Sequence, residues 1–204
     1  MKKTAALIPA KSFGRAKSRL GGALGPEERR RLAERCFRGV ARAAVEAQVF
    51  SEIFVATDGP EVAAIAESQG LHPIMDPPGH DVFHEILDRA LRILADKGFE
   101  RATILMADLP EADADSIRRA ALADSDLILV PDASGYGTSA LTLPLPAPFP
   151  TAFGNHDSAL RHRALAQAHG LPLLIQEIPA LARDVDGPLD LARNPPLYRA
   201  ILAR

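Results

Sequence analysis

Ala102 to Ala107 (ATILMA) is a continuous apolar run closed by Asp108-Leu109-Pro110. A run without polar alternation fits a strand covered on both faces, as in a parallel sheet lying between two layers of helices. The flanking pattern agrees. Thr4 to Pro9 reads as a short buried strand. Pro26 to Val49 reads as a helix in which Leu32, Cys36, Val40 and Ala43 recur at helical spacing, with Pro26 in the first turn. Glu52 to Thr57 is a second strand, Pro60 to Gln69 a helix stopped by Gly70, and His72 to Met75 a short strand. His80 to Lys97 predicts an amphipathic helix with Phe83, Ile86, Leu87, Ala90, Leu91 and Leu94 on one face, stopped by Gly98. A helix over Asp113 to Ala123 and strands over Asp126 to Val130 and Ala140 to Leu143 follow. The Pro-rich connection Pro144 to Pro150 leads to a helix over Asp157 to His169 and a strand over Leu173 to Glu177. A last helix over Pro188 to Leu202 is interrupted near Pro195-Pro196.

This alternation selects the α/β class: a three-layer α/β/α sandwich with a mixed, mostly parallel sheet and ligands at the carboxyl ends of the strands. At 204 residues, a single domain over residues 1–204 is the expectation.

Composition narrows the partners. Lys and Arg number 24 against 26 Asp and Glu, leaving a formal charge of -2, with no basic excess for the phosphates of nucleic acid. The lone Cys36 has no Cys or His spaced for zinc, so a buried side chain in a reducing cytoplasm is expected. The apolar stretch Ala5 to Ala10 is broken by Pro9 and too short for a signal-peptide core, and no segment approaches the roughly 20 apolar residues that span a bilayer. A cytoplasmic location with no membrane partner follows as an expectation.

Three strand ends carry candidate chemistry. After the first strand, Lys11, Arg15, Lys17 and Arg19 share a loop with Gly14, and no acidic residue intervenes until Glu27. Backbone N–H groups and cations in such a loop suit a triphosphate, with a merely solvated basic loop as the alternative. The loop lacks the GxxxxGK[ST] spacing of a Walker A motif. Asp108 ends the ATILMA strand, where an unpaired carboxylate is costly; it either caps a helix or holds a cation. Asp184 and Asp186 stand at i and i+2, on one face of an extended segment, where they repel unless a divalent cation or an arginine lies between them. Asp186 has capping of the final helix as its alternative.

Weaker signals lie elsewhere. The Gly-rich turn from Asp132 to Ser139 and the opening of the helix after Phe153-Gly154-Asn155, with Arg161 and His162 one turn in, are candidate anion sites. His80 and His84 share i, i+4 spacing, but without a third ligand a solvated helix face is the better reading than zinc. No Ser-His-Asp or Cys-His pattern supports covalent catalysis.

Taken in order, IPAKSFGRAKSRL, ADLP, the GTSAL turn, AFGNHDSALRH and DVDGPLDL closely resemble the CofC-type 2-phospho-L-lactate guanylyltransferases, including those that use phosphoenolpyruvate, from about Ile8 to Leu191. The resemblance implies a single-domain, Rossmann-like (GT-A-like) nucleotidyltransferase fold, GTP as donor and Mg2+ as cofactor. It also implies 2-phospho-L-lactate or phosphoenolpyruvate as acceptor, in the biosynthesis of coenzyme F-420. Position by position, it implies that Pro9, Ala10, Lys11, Arg15, Lys17 and Arg19 bind the nucleotide and that Asp108, Asp184 and Asp186 hold the metal. Thr138, Gly154 and Ser158 would bind the acceptor, and Lys17 and Asp108 would be the catalytic pair. A homodimer and a downstream transferase that takes the product are its implied partners. The chain departs from the family at Ser139, where Asn or Thr is usual, and at His80 to Phe83, where a GLN-type motif is usual. These departures leave three alternatives: a guanylyltransferase with another acceptor such as 3-phosphoglycerate, a non-catalytic nucleotide-binding protein of the same fold, and a molybdopterin-type or sugar nucleotidyltransferase.

Overall fold

Strand β1 (Thr4–Pro9) alternates between two apolar layers, with Ala6 and Ile8 on one face and Ala5 and Leu7 on the other, all fully buried. A computed structural model describes residues 2–79 and 81–202. It places β1 in a seven-stranded sheet with β2 (Glu52–Thr57), β3 (His72–Met75), β4 (Arg101–Leu105), β5 (Leu127–Pro131), β6 (Thr138–Pro144) and β7 (Leu173–Ile175), in the order β3-β2-β1-β4-β6-β5-β7. All neighbouring pairs are parallel except those of β6, which runs antiparallel to β4 and β5. The expected mixed, mostly parallel sheet is what forms.

One face is covered by α1 (Pro26–Ala47), α2 (Pro60–Ser68) and α4 (Ala114–Leu122), which contribute Phe37, Val40, Val62 and Ile117 to one core. The opposite face is covered by α3 (Phe83–Asp96) and α5 (Ser158–Ala168), which contribute Leu87, Leu91, Ala159 and Ala166 to the other. Three short helices follow in the chain: α6 (Pro179–Ala182), α7 (Pro188–Arg193) and α8 (Pro195–Leu202).

Several boundaries differ from the sequence reading. β4 ends at Leu105, because Ala107 and Asp108 turn away from the sheet. β6 begins at Thr138, so Thr138 and Ser139 belong to a strand rather than to the Gly-rich turn. That turn closes on itself: the Asp132 carboxylate accepts from the Ser134 N–H and hydroxyl, and the Asp132 N–H donates to Gly137 O. α3 opens at Phe83 behind an extended Val82, and His80, with the spacing it was read to share with His84, lies outside the described residues. The expected interruption of the final helix falls at Asn194 and leaves two helices, because the residue before a proline is driven out of the α region. The 3-10 turn Ser18–Leu20 and α6 went unread, since three or four residues are too few to show a periodicity. Among the described residues no helix is long and apolar enough to cross a membrane.

A small third cluster governs the site. Leu20, Leu24, Leu32, Cys36, Val185 and Leu191 are all buried together, tying the segment after α6 to the loop after β1 and to α1.

Candidate active site

The carboxyl ends of β1 and β4 and the start of β6 lie at the same end of the sheet. β1 runs out into the loop carrying Lys11, Arg15, Lys17 and Arg19, and Leu20 at its far end is fully buried in the third cluster. Anchored in this way, Lys17 takes a left-handed backbone conformation, φ 57° and ψ 35°. For a residue other than glycine that strain amounts to about 1–3 kcal/mol and persists only where its surroundings enforce it. Here the side chain is held as firmly as the backbone. Lys17 Nζ donates to Asp108 Oδ2 at 2.7 Å and to Asp186 Oδ1 at 3.2 Å, with the lysine side chain only 7% exposed. Burial by itself disfavours the ammonium, but Asp108 and Asp186 outweigh it and hold the Lys17 pKa above the ordinary lysine value.

Asp184 and Asp186 reach this point because Val185 between them is buried in the third cluster, which turns both flanking carboxylates the other way. The Val185 N–H donates to Asp108 O at 3.2 Å, stitching the segment to the end of β4. Carboxylate oxygens of Asp108, Asp184 and Asp186 all lie within 4.8 Å of one another. Burial first, and then the neighbouring charges of Asp108 and Asp186, push the Asp184 carboxyl up to about 6. Asp108 Oδ1 is buried with no hydrogen-bond partner. An orphaned buried carboxylate oxygen on a residue grouped with two further carboxylates is a donor set that fits a hard divalent cation. The helix-capping alternative for Asp186 fails: Asp190 accepts from the Asp186 and Gly187 N–H groups, and Gly187 is the N-cap. Capping fails for Asp108 too, since Asp113 caps α4.

The loop after β1 is less open than its sequence implies. Asp58 accepts from the Ser12 N–H and Glu61 from the Phe13 N–H, at 2.7 and 2.9 Å, so these two N–H groups are already engaged. Arg15 pairs with Asp58 and Asp81, and Arg19 with Asp186. Asp58, Glu61 and Asp81 went unrecognised as part of the site. They stand 43 to 66 residues from their partners in the loop, and nothing in their local sequence marks them. Gly59 permits the contact: a Cβ there would meet Ser12 Cα at 2.8 Å.

A cleft of about 470 Å3 is lined by Pro9, Ala10, Lys11, Arg15, Lys17 and Arg19 on one side, and by Asp108, Asp186 and Gly154 on the other. A larger groove of about 920 Å3 runs beside Arg31, Arg35 and Arg42 of α1, and none of the three carboxylates lines it. The smaller cleft is the one with convergent charge and an orphaned oxygen. Asp184 flanks it within the carboxylate group, while Thr138 and Ser158 are buried and bonded to each other. Cys36 and Phe83 also line the cleft. Burial pushes the Cys36 thiol up to about 12, so it stays protonated and is no nucleophile.

Several groups at the start of α5 are already engaged. The Ser158, Ala159 and Arg161 N–H groups are bonded to Asn155, Tyr136 and Asp157 carbonyls, and the Arg161 side chain pairs with Asp157. His162 is fully buried, and burial lowers its pKa to about 4, so it is neutral rather than an anion-binding cation. Gly154 has φ +89°, and a Cβ there would stand 3.3 Å from Phe83 Cβ. Gly154→Ala should therefore cost about 1–2 kcal/mol in thermal or denaturant melts, the penalty of a left-handed Cβ; an unchanged melting curve would mean the loop adopts another backbone.

The sequence profile of the family described as "Guanylyl transferase CofC like" matches residues 4–193. The phosphoenolpyruvate guanylyltransferase of Conexibacter woesei is 36% identical over 92% of this chain and 85% of its own length. The 2-phospho-L-lactate guanylyltransferase of Methanoregula boonei is 35% identical over 91% of this chain and 79% of its own. Among solved structures, a nucleotidyl transferase from Methanothermobacter superposes with a TM-score of 0.66 at 16% identity, covering 98% of this chain and all of that one. At that identity the likeness shows the α/β nucleotidyltransferase fold.

Proposed function

The chain belongs to the CofC-like guanylyl transferase family, and from that premise we propose how its cleft acts. The protein is a guanylyltransferase, and the acceptor is a small phosphorylated acid, phosphoenolpyruvate or 2-phospho-L-lactate, in the biosynthesis of coenzyme F-420. GTP lies along Pro9, Ala10, Lys11, Arg15, Lys17 and Arg19, and the acceptor lies toward Thr138, Gly154 and Ser158. One oxygen of the acceptor's phosphate attacks the α-phosphorus of GTP, an O–P bond forms, and the bond to pyrophosphate breaks. A phosphate dianion is already charged at neutral pH, so the step needs neither a protein nucleophile nor a strong base.

The observation that carries this reading is the buried Lys17 ammonium between Asp108 and Asp186, beside an Asp108 oxygen with no partner. Such a cation, fixed in a water-poor site before substrate arrives, neutralises charge that develops on the phosphate oxygens without reorganising. Asp108, Asp184 and Asp186 would hold Mg2+, which when bound supplies further charge neutralisation to those oxygens. Arg15 and Arg19 are more exposed and would exchange carboxylate partners for phosphate as GTP binds. The product is a reactive phosphoanhydride, which suits a downstream transferase that consumes it, and the enzyme would work as a homodimer in the cytoplasm.

The test is to supply GTP, ATP or CTP with Mg2+ and phosphoenolpyruvate, 2-phospho-L-lactate or 3-phosphoglycerate, then measure pyrophosphate release and product mass. The expected result is pyrophosphate with GTP and one of the first two acids, and a product carrying GMP. Release with 3-phosphoglycerate alone would reassign the acceptor, and release with none would leave a nucleotide-binding protein.

A further inference from the structure

His162 sits on α5 one turn after Ser158, and both face Thr138 at the start of β6. All three side chains are buried, and only Thr138 keeps appreciable contact with solvent, at 8% exposure against 3% for Ser158 and 0% for His162. The protons in this cluster can be placed one by one. The Ala152 N–H donates to His162 Nε2 at 2.9 Å, so Nε2 carries no hydrogen. A neutral imidazole then carries its hydrogen on Nδ1. Nδ1 lies 3.1 Å from Thr138 Oγ1 and donates to it. The Ser158 hydroxyl donates to the same oxygen at 3.0 Å. A hydroxyl oxygen accepts two hydrogen bonds and donates one, so both lone pairs of Thr138 Oγ1 are taken and only its hydrogen is left to offer. The Phe153 ring packs against the imidazole edge to face, centroids 5.0 Å apart, and fixes its plane.

We infer that His162 is a positioning residue for the acceptor: through its Nδ1–H it turns the Thr138 hydroxyl into a donor-only group aimed at the ligand. This rests on the placement of the acceptor beside Thr138 proposed above. A group that can donate but not accept favours an ionised oxygen, as in a carboxylate or phosphate, which accepts more strongly than a neutral hydroxyl, and disfavours an ammonium or amide N–H at the same place. The site would in this way select the ionised acid end of the acceptor. One step beyond the last ladder pair, Leu105 opposite Ala140, the Met106 N–H donates to Ser139 O. That bond continues the ladder so that the backbone of Thr138 lies beside Met106 and Ala107, which line the cleft.

Two substitutions separate positioning from packing. In His162→Gln the amide reaches the place of Nε2 and can still accept from Ala152, but the donor to Thr138 is lost. In His162→Asn the amide occupies the place of Nδ1 and can still donate to Thr138, but the Ala152 partner is lost. Steady-state kinetics with the acid identified for the parent enzyme should show the acceptor KM raised about tenfold in His162→Gln, the size of one hydrogen bond, with the KM for GTP unchanged. His162→Asn should stay within about threefold of the parent, although it loses the bond that supports the 151–157 loop. In a Thr138→Val background, His162→Gln should add nothing. Acceptor KM values that follow the melting temperatures of the two variants, or effects that add fully in the Thr138→Val background, would overturn the inference. Imidazole 15N NMR of the parent protein at neutral pH provides a check that needs neither a variant nor turnover: Nδ1 should carry the hydrogen, and a hydrogen on Nε2 would also overturn it. Absence of GMP transfer by the parent enzyme to every acid would instead strike the proposed function and leave the tautomer measurement standing.

Discussion

An Asp184→Asn protein melts higher than its parent in the absence of metal, and loses metal-dependent turnover by about 100-fold or more. The two effects have one cause. Burial and the charges of Asp108 and Asp186 push the Asp184 carboxyl up to about 6 in the folded protein, against an ordinary value of 3.8. A carboxyl with a raised folded value favours the native state while protonated. Its contribution is complete below the unfolded value, and is lost as the pH rises through about 6. At pH 7 the ionised group therefore opposes folding, by about 1–2 kcal/mol once solvent screening of this partly exposed side chain is allowed for. Removing the charge should raise the melting temperature by about 2–8 °C in a chain of this size. Thermal melts in chelator should show the gap at pH 7 and its closure near pH 4. A variant less stable than its parent at pH 7 would mean that Asp184 is paired rather than repelled, and undiminished turnover would remove it from the metal site.

Lys17→Met shifts stability in the opposite direction. Deleting one partner of a buried ion pair costs about 3–5 kcal/mol. With Asp108 20% and Asp186 44% exposed, screening reduces that to about 2–3 kcal/mol. Turnover should fall about 10^2–10^3-fold, as expected for loss of a preorganised charge at a transition state. The informative measurement is the stabilisation conferred by added Mg2+ in the absence of nucleotide. Without the ammonium, the three carboxylates should draw the cation more strongly, so Mg2+ should raise the melting temperature of Lys17→Met more than that of the parent while restoring no turnover. Equal Mg2+ shifts in both proteins would place the cation elsewhere.

The two variants together explain why one carboxylate can be removed at a gain while the cation cannot. Asp108 Oδ2 and Asp186 Oδ1 are paired with Lys17, and the Val185 N–H donates to the Asp108 carbonyl and ties the segment in place. Asp184 has the repulsion without the ammonium bond. Stability is given up at this one position to hold three carboxylates close together, a common arrangement where function requires it.

Much of this was readable in the amino-acid order. The ATILMA run marked a strand buried on both faces, and β4 lies in the interior of the sheet, between β1 and β6. The alternation of Asp184, Val185 and Asp186 placed two carboxylates on one side, and the burial of Val185 explains why. The break at Asn194-Pro195, the cap at Asp113 and the end of β1 at Pro9 are all local effects of side-chain shape or hydrogen bonding. The resemblance in the loop after β1 and in the DVD segment pointed to the reaction class that the family match supports.

What the local pattern determined, then, is which residues are buried, where strands stop, and which chemical groups stand at their ends; periodicity and capping depend only on neighbours a few residues apart. Tertiary structure alone decided which charges meet. Lys17 is 91 residues from Asp108 and 169 from Asp186, and Arg15 is 66 from Asp81. The basic loop that looked open to a triphosphate is already partnered by carboxylates from the turn after β4, from the start of α2 and the residues before it, and from the segments before α3 and α7. His162, read as one end of an anion site, became a neutral, buried tautomer lock on Thr138. Pairings over such separations come from closing long loops around two helix layers and a small third core, and no local sequence period encodes them.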